Sequence, residues 1–256
     1  MKLDKRRLYH LDWYLIINGL AIFAVGLLNL FSATSSFYSG SYNFLIKQLI
    51  AFAIGIFLIV IIVQYDYRLI AEYSKWIYFS GFFLVLLVLI IGMAAGGAKR
   101  WINVFGISLQ PSEFMKPIIV VFLANMLYQR KSVNNPLGLR DICVPMLYVI
   151  VPFILILKQP DLGTGIIIVL VSLCILWFVG LKKSTYAVIM GIGAIIPFVA
   201  WNYLLKTYQK MRVLSFINID ADPSGFGYHA KQALIAVGSG KLFGKGYMSG
   251  TQHKLQ

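Results

Sequence analysis

Charge is scarce in this sequence: Asp, Glu, Lys and Arg make up 12% of its 256 residues, against roughly 25% in an ordinary soluble domain. With 59% of the chain apolar, a water-soluble globule is excluded. Cysteine is nearly absent too. Cys143 and Cys174 fall inside apolar runs without metal-ligand spacing, so no disulfide is expected and both read as small core residues. His10, His229 and His253 form no ligand cluster, and no Ser/His/Asp arrangement stands out. Acidic residues are few: 9 Asp and Glu stand against 23 Lys and Arg, a formal charge of +14. These cations are scattered between apolar runs rather than gathered in a stripe, which fits membrane topology and not a nucleic-acid partner.

What abounds is the apolar run. Stretches near Trp13–Phe31, Leu45–Val63, Trp76–Ala94, Ser112–Tyr128, Ile142–Leu157, Thr164–Gly180 and Tyr186–Leu205 predict an all-α polytopic membrane protein with about seven transmembrane helices of about 20 residues each. Residues 1–12 read as a cytoplasmic N-terminus, residues 13–205 as the transmembrane bundle, and residues 206–256 as the start of a large extracytoplasmic loop. The first apolar run is too long for a signal peptide and has no small-residue cleavage pattern, so it reads as a retained helix.

The N-terminus is placed inside by the cations. Inside segments would then hold Lys2, Lys5, Arg6, Arg7, Arg68, Lys75, Arg130, Lys131, Arg140, Lys182 and Lys183; the short outside loops hold Lys47, Lys99, Arg100, Lys116 and Lys158. The basic segment 206–256 falls outside, where long segments translocate largely regardless of charge. Cations on the outer face suit an anionic ligand such as a lipid-linked phosphate.

Four acids remain on that face: Glu113, Asp161, Asp220 and Asp222. One outer constellation runs from Gly96, Gly97, Lys99, Arg100 and Trp101 to Gln110, Pro111, Ser112, Glu113 and Lys116. It reads either as a plain helix start with a local Glu113/Lys116 pair or as a ligand site, since ionisable groups at membrane depth are costly. A second is Lys158, Gln159, Pro160, Asp161, Leu162, Gly163 and Thr164. Here Asp161 is a helix cap, with Gly163 and Gly165 allowing close packing, or a carboxylate facing the same cavity to orient a hydroxyl, a metal ion or Arg100. Gln159-Pro160 repeats Gln110-Pro111, each pair opening a helix. Gly238, Gly240, Gly244, Gly246 and Gly250 read as a turn series or, with Lys241, Lys245, Thr251 and Lys254 among them, as a phosphate contact. No P-loop is formed. Gly191 and Gly193, like Gly163 and Gly165, suit close helix packing or a groove for a lipid tail.

Taken in order, Gly97-Ala98-Lys99-Arg100-Trp101, Gln110-Pro111-Ser112-Glu113 with Lys116, Gln159-Pro160-Asp161-Leu162-Gly163-Thr164 and the glycine segment ending Gly250-Thr251-Gln252 resemble the SEDS family (shape, elongation, division and sporulation), and its rod-shape branch more than its division branch. The resemblance implies a ten-helix bacterial inner-membrane peptidoglycan glycosyltransferase. It would polymerise lipid II and undecaprenyl-linked glycan at the outer face during cell elongation and shape maintenance, among membrane lipids, beside a class B penicillin-binding protein transpeptidase. Arg100, Glu113, Lys116 and Asp161 map onto the family's motif positions, with Trp101, Gln110, Ser112 and Gln159 as neighbours. Arg100, Lys116 and Lys99 would meet the substrate pyrophosphate, and Glu113 and Asp161 would be the cavity acids. No protein metal site or obligatory cofactor is implied, although magnesium or manganese could help the leaving group. Family members continue past Gly-Thr-Gln into a segment bearing the Asp proposed as essential, then three more helices. The expectation is therefore an N-terminal piece, inactive alone.

Two other functions compete. A lipid-linked precursor flippase would place polar groups through the bilayer depth, whereas ionisable residues here cluster at the rim. A non-catalytic scaffold for the transpeptidase would keep binding its partner after loss of Arg100, Lys116 and Asp161.

Overall fold

Apolar residues all round a helix leave it no water-facing side, and a chain of such helices satisfies its backbone only by staying helical. The structure, a computed structural model, describes residues 12–34, 41–95, 98–104, 107–130, 136–218 and 225–250. Among these, six helices are long and apolar enough to cross a membrane. The elements are α1 (Trp13–Thr34), α2 (Ser41–Gln64), α3 (Tyr67–Glu72), α4 (Ser74–Ile91), β1 (Met93–Ala95), β2 (Ala98–Val104), β3 (Ile107–Leu109), α5 (Pro111–Tyr128), α6 (Leu139–Lys158), α7 (Leu162–Val179), α8 (Lys183–Val199, prolonged by a π turn Ala200–Leu204), α9 (Thr207–Ile217) and α10 (Phe226–Gly240). The expected span at Ser112–Tyr128 forms as α5; carrying Glu113, Lys116 and Asn125, it is not among the six.

The chain divides into two units, Tyr65–Ala194 and Met1–Gln64 with Ile195–Gln256. In the first, α5 packs against α4 and α7, and α6 against α7. Their core is Tyr78, Val85, Met115, Ile119, Phe122, Leu123, Val149, Ile156 and Ile168. Tyr78 stacks on Phe122 at 4.5 Å between ring centroids, and Tyr148 meets Tyr78 edge-on at 5.4 Å. The Tyr78 hydroxyl donates to the Tyr148 carbonyl at 2.8 Å, giving the buried phenol a partner. A smaller cluster of Leu127, Leu137, Ile142, Leu176 and Leu181 closes the other end. There Arg130 pairs with Asp141, whose Oδ2 accepts from the Gly138 N–H at 2.7 Å.

In the second unit α1 packs on α2, with Phe23 stacked on Phe52 at 3.5 Å between centroids, and α9 packs on α10. No described residue of α1 is buried. Gly238 and Gly240, expected in the turn series, instead lie within α10; beyond it the described glycine segment is a run of turns, with Gly244 at φ 72° and Gly246 at φ 95°, conformations that a Cβ disfavours. The Met248 N–H donates to Ser32 Oγ at 2.8 Å. Pro197 inside α8 lacks the N–H that would continue the ladder, and the π turn follows three residues later.

Several expectations are corrected here. Cys143 and Cys174 are free and exposed on their helices rather than in a core, because in a bilayer the apolar outside is a lipid face. Gly165 is a packing glycine, since an added Cβ would meet the Phe153 ring at 3.0 Å, but Gly163, Gly191 and Gly193 have nothing within 4 Å. The connection before α5 is not a plain loop but an antiparallel sheet in the order β1-β2-β3, with Met93 opposite Trp101 and Ile102 opposite Leu109.

Candidate functional site

Pro111 occupies the first position of α5, where a missing N–H costs nothing, and Glu113 complements the dipole of its first turn. Asp161 caps α7, its Oδ1 accepting from the Thr164 N–H at 3.4 Å. α5 and α7 begin at the same end of their unit, and β2 brings Arg100 to that end. Two partial positive charges from helix N-termini thus join two cations and two carboxylates.

The side chains interlock. Gln110 Nε2 donates to Asp161 Oδ2 at 2.6 Å and to Ser112 Oγ at 3.0 Å. Thr164 Oγ1 donates to Glu113 Oε1 over a long 3.5 Å, while Lys116 Nζ lies 2.8 Å from Glu113 Oε2. Arg100 NH1 stands 4.0 Å from Asp161 Oδ1, and its buried Nε has no hydrogen-bond partner. Burial separates the two acids: the Asp161 side chain is 10% exposed, that of Glu113 50%. A buried carboxylate committed at both oxygens holds position; a half-exposed one is reachable by a ligand.

Arg100, Gln110, Ser112, Glu113, Lys116 and Asp161 are therefore brought together, as the sequence anticipated. The helix-start reading of Glu113/Lys116 and of Asp161 is met by their local contacts, and Glu113 and Asp161 also bond across to the other helix's first turn. Trp101 is half-buried beside Arg100 on β2. The Lys99 side chain, Gly96, Gly97, Asp220, Asp222, Thr251, Gln252 and Lys254 lie outside the described residues. Gln159 is elsewhere. It is 2% exposed and donates to the Val85 carbonyl at 2.8 Å, fastening the end of α6 to α4. The Gln-Pro repeat consequently fails structurally: Pro111 opens α5, but Pro160 lies in a turn ahead of the Asp161 cap.

The matching that does hold has a spacing of 51 residues, pairing cap Gln110 with cap Asp161 and Glu113 with Thr164. Thr164 closes the second constellation in the sequence, where it carries no role of its own. Aligning the two N-caps would have found it, because it stands at the same position of α7 as Glu113 of α5. Among the described residues, no three His, Cys, Asp or Glu side chains converge as a metal site.

The nearly all-helical fold has counterparts among known proteins. The family model for FtsW, RodA and SpoVE, described as cell cycle protein, matches residues 12–256, and the chain belongs to this family. It is 30% identical over 248 residues to the peptidoglycan glycosyltransferase MrdB of Escherichia coli, covering 96% of this chain and 65% of that protein. It is 36% identical over 243 residues to the stage V sporulation protein E of Bacillus subtilis, covering 92% of this chain and 65% of the relative. A probable peptidoglycan glycosyltransferase FtsW of Trichlorobacter lovleyi is 31% identical, with coverage of 96% and 65%. Among solved structures, one from a peptidoglycan synthase complex that coordinates polymerization and crosslinking superposes with a TM-score of 0.73 at 27% identity, over 89% of this chain and 65% of that one. A variant of the Thermus thermophilus rod shape determining protein RodA gives 0.62 at 26%, over 74% and 60%. The chain thus spans 65% of the length of these curated relatives.

Proposed function

We propose that this chain forms part of a peptidoglycan glycosyltransferase that polymerises lipid II at the outer face of the bacterial inner membrane, beside a class B penicillin-binding transpeptidase. The observation that carries the proposal is the cluster itself. Lys116 and Arg100 stand at the shared start of α5 and α7, where developing negative charge on a pyrophosphate leaving group would be stabilised. Glu113, half-exposed against Lys116, is the acid within reach of a ligand, and Asp161 orders the site. A magnesium or manganese ion would draw further oxygen donors from the ligand's own phosphates. The names of the relatives support the reaction class, and the synthase-complex neighbour supports a crosslinking partner. The Gly250-Thr251-Gln252 ending supports the rod-shape branch.

An outer-face position of the cluster is supported by the opposite end of the same unit, which carries Arg130, Arg140, Lys182 and Lys183, the cations that the positive-inside bias puts on a cytoplasmic face. In that orientation the cluster would lie at the outer face.

The test is polymerisation of lipid II by the purified protein reconstituted with its transpeptidase, with fluorescent lipid II translocation measured in the same vesicles. Glycan chains that disappear with Lys116→Met support the proposal. Translocation without polymer would favour a flippase, and partner binding without either would favour a scaffold.

A further inference from the structure

The two oxygens of Asp161 are held unequally. Oδ2 takes a 2.6 Å bond from the neutral amide of Gln110, whereas Oδ1 has only the long Thr164 N–H contact and Arg100 NH1 at 4.0 Å. The short contact is therefore with the amide and the long one with the cation, the reverse of what charge favours. Arg100 is correspondingly short of acceptors, with a buried Nε that meets none. An arginine in that condition has donors left for an incoming anion.

We infer that Gln110 is a positioning residue, which keeps the Asp161 carboxylate from closing on Arg100 and so leaves Arg100 available to the phosphate oxygens of a lipid-linked pyrophosphate. This rests on the function proposed above. Both Nε2 protons of Gln110 are engaged, one on Ser112 Oγ and one on Asp161 Oδ2, and Ser112 is 1% exposed, so the amide has a single orientation. Without that bond the carboxylate is free to turn both oxygens to the guanidinium. The resulting two-pronged ion pair would compete with the ligand for the same donors.

The experiment measures binding of inorganic pyrophosphate to the full chain in nanodiscs by calorimetry, with thermal unfolding of every variant as the folding control. Gln110→Asn keeps the amide but is one methylene short of Asp161; Gln110→Met keeps the length without the donor and serves if the first misfolds. Either is expected to weaken binding about tenfold. In an Asp161→Asn background, where the carboxylate that Gln110 restrains is gone, the same change is expected to have no further effect. Equal losses in both backgrounds, or no loss in either, would overturn the inference by making Gln110 merely structural. If the unsubstituted chain binds no pyrophosphate, or if Arg100→Met binds it undiminished, the anion-site reading itself fails.

Discussion

Gln110 and Asp161 are the N-caps of two different helices, and they are hydrogen-bonded to each other at 2.6 Å across 51 residues of chain. The Thr164 to Glu113 bond repeats the same separation of 51 one turn further in. Two such ties hold the first turns of α5 and α7 level, so the charges on those turns keep a common geometry. Rigid mutual placement is what a site for a spread-out anionic charge requires.

Lys116 faces that site with its ammonium 2.8 Å from Glu113. In the reconstituted complex, Lys116→Met is expected to lower polymerisation by about a hundredfold, the scale of removing one preorganised charge-stabilising group. Lys116→Arg is expected to retain part of the rate. Initial rates over a range of lipid II concentrations check this, and an unchanged rate for Lys116→Met would remove Lys116 from the chemistry.

Asn125 ties three elements together. Its amide donates to the Ala71 carbonyl at 2.7 Å and to Ser74 Oγ at 2.9 Å, and Ser74 is 2% exposed. Asn125→Leu strands both partners and is expected to cost about 1–3 kcal/mol. The thermal midpoint in detergent should fall accordingly; no shift would mean that these bonds are replaced.

Two nearby glycines on α7 should respond oppositely. Gly165→Leu drives a side chain into the Phe153 ring, 3.0 Å from the first added atom, and overpacking of this kind costs about 1–3 kcal/mol. Gly163→Ala enters open space and is expected to be neutral or stabilising by up to about 1 kcal/mol. Equal midpoints for the two variants would contradict the packing at Gly165.

Arg130 and Asp141 make an ion pair at the opposite end, but their side chains are 30% and 34% exposed. Screening at that exposure leaves such a pair less than about 1 kcal/mol. Asp141 would also keep the Gly138 N–H. Arg130→Met is therefore expected to move the midpoint less than Asn125→Leu, and a larger shift would show that this pair is shielded.

Much of this protein was determined by its sequence alone. Sparse charge and repeated apolar runs require helices in a bilayer, since no other open structure satisfies the backbone there. The grouping of Arg100, Glu113, Lys116 and Asp161 at one end was legible because charged residues in such a chain collect where helices begin and end. Residue type and local spacing were also enough for the Glu113/Lys116 pair and for Asp161 as a cap. Which face of a helix meets another helix was not, because lipid-facing and core-facing residues are equally apolar; Cys143 and Cys174 were misread on that account. Gln110 and Gln159 occupy similar Gln-Pro contexts, yet one reaches Asp161 and the other the Val85 carbonyl. Only the tertiary structure decided between them, because a side-chain amide bonds whatever acceptor the packing of distant helices brings within 3 Å of it, and no local pattern encodes which acceptor that will be.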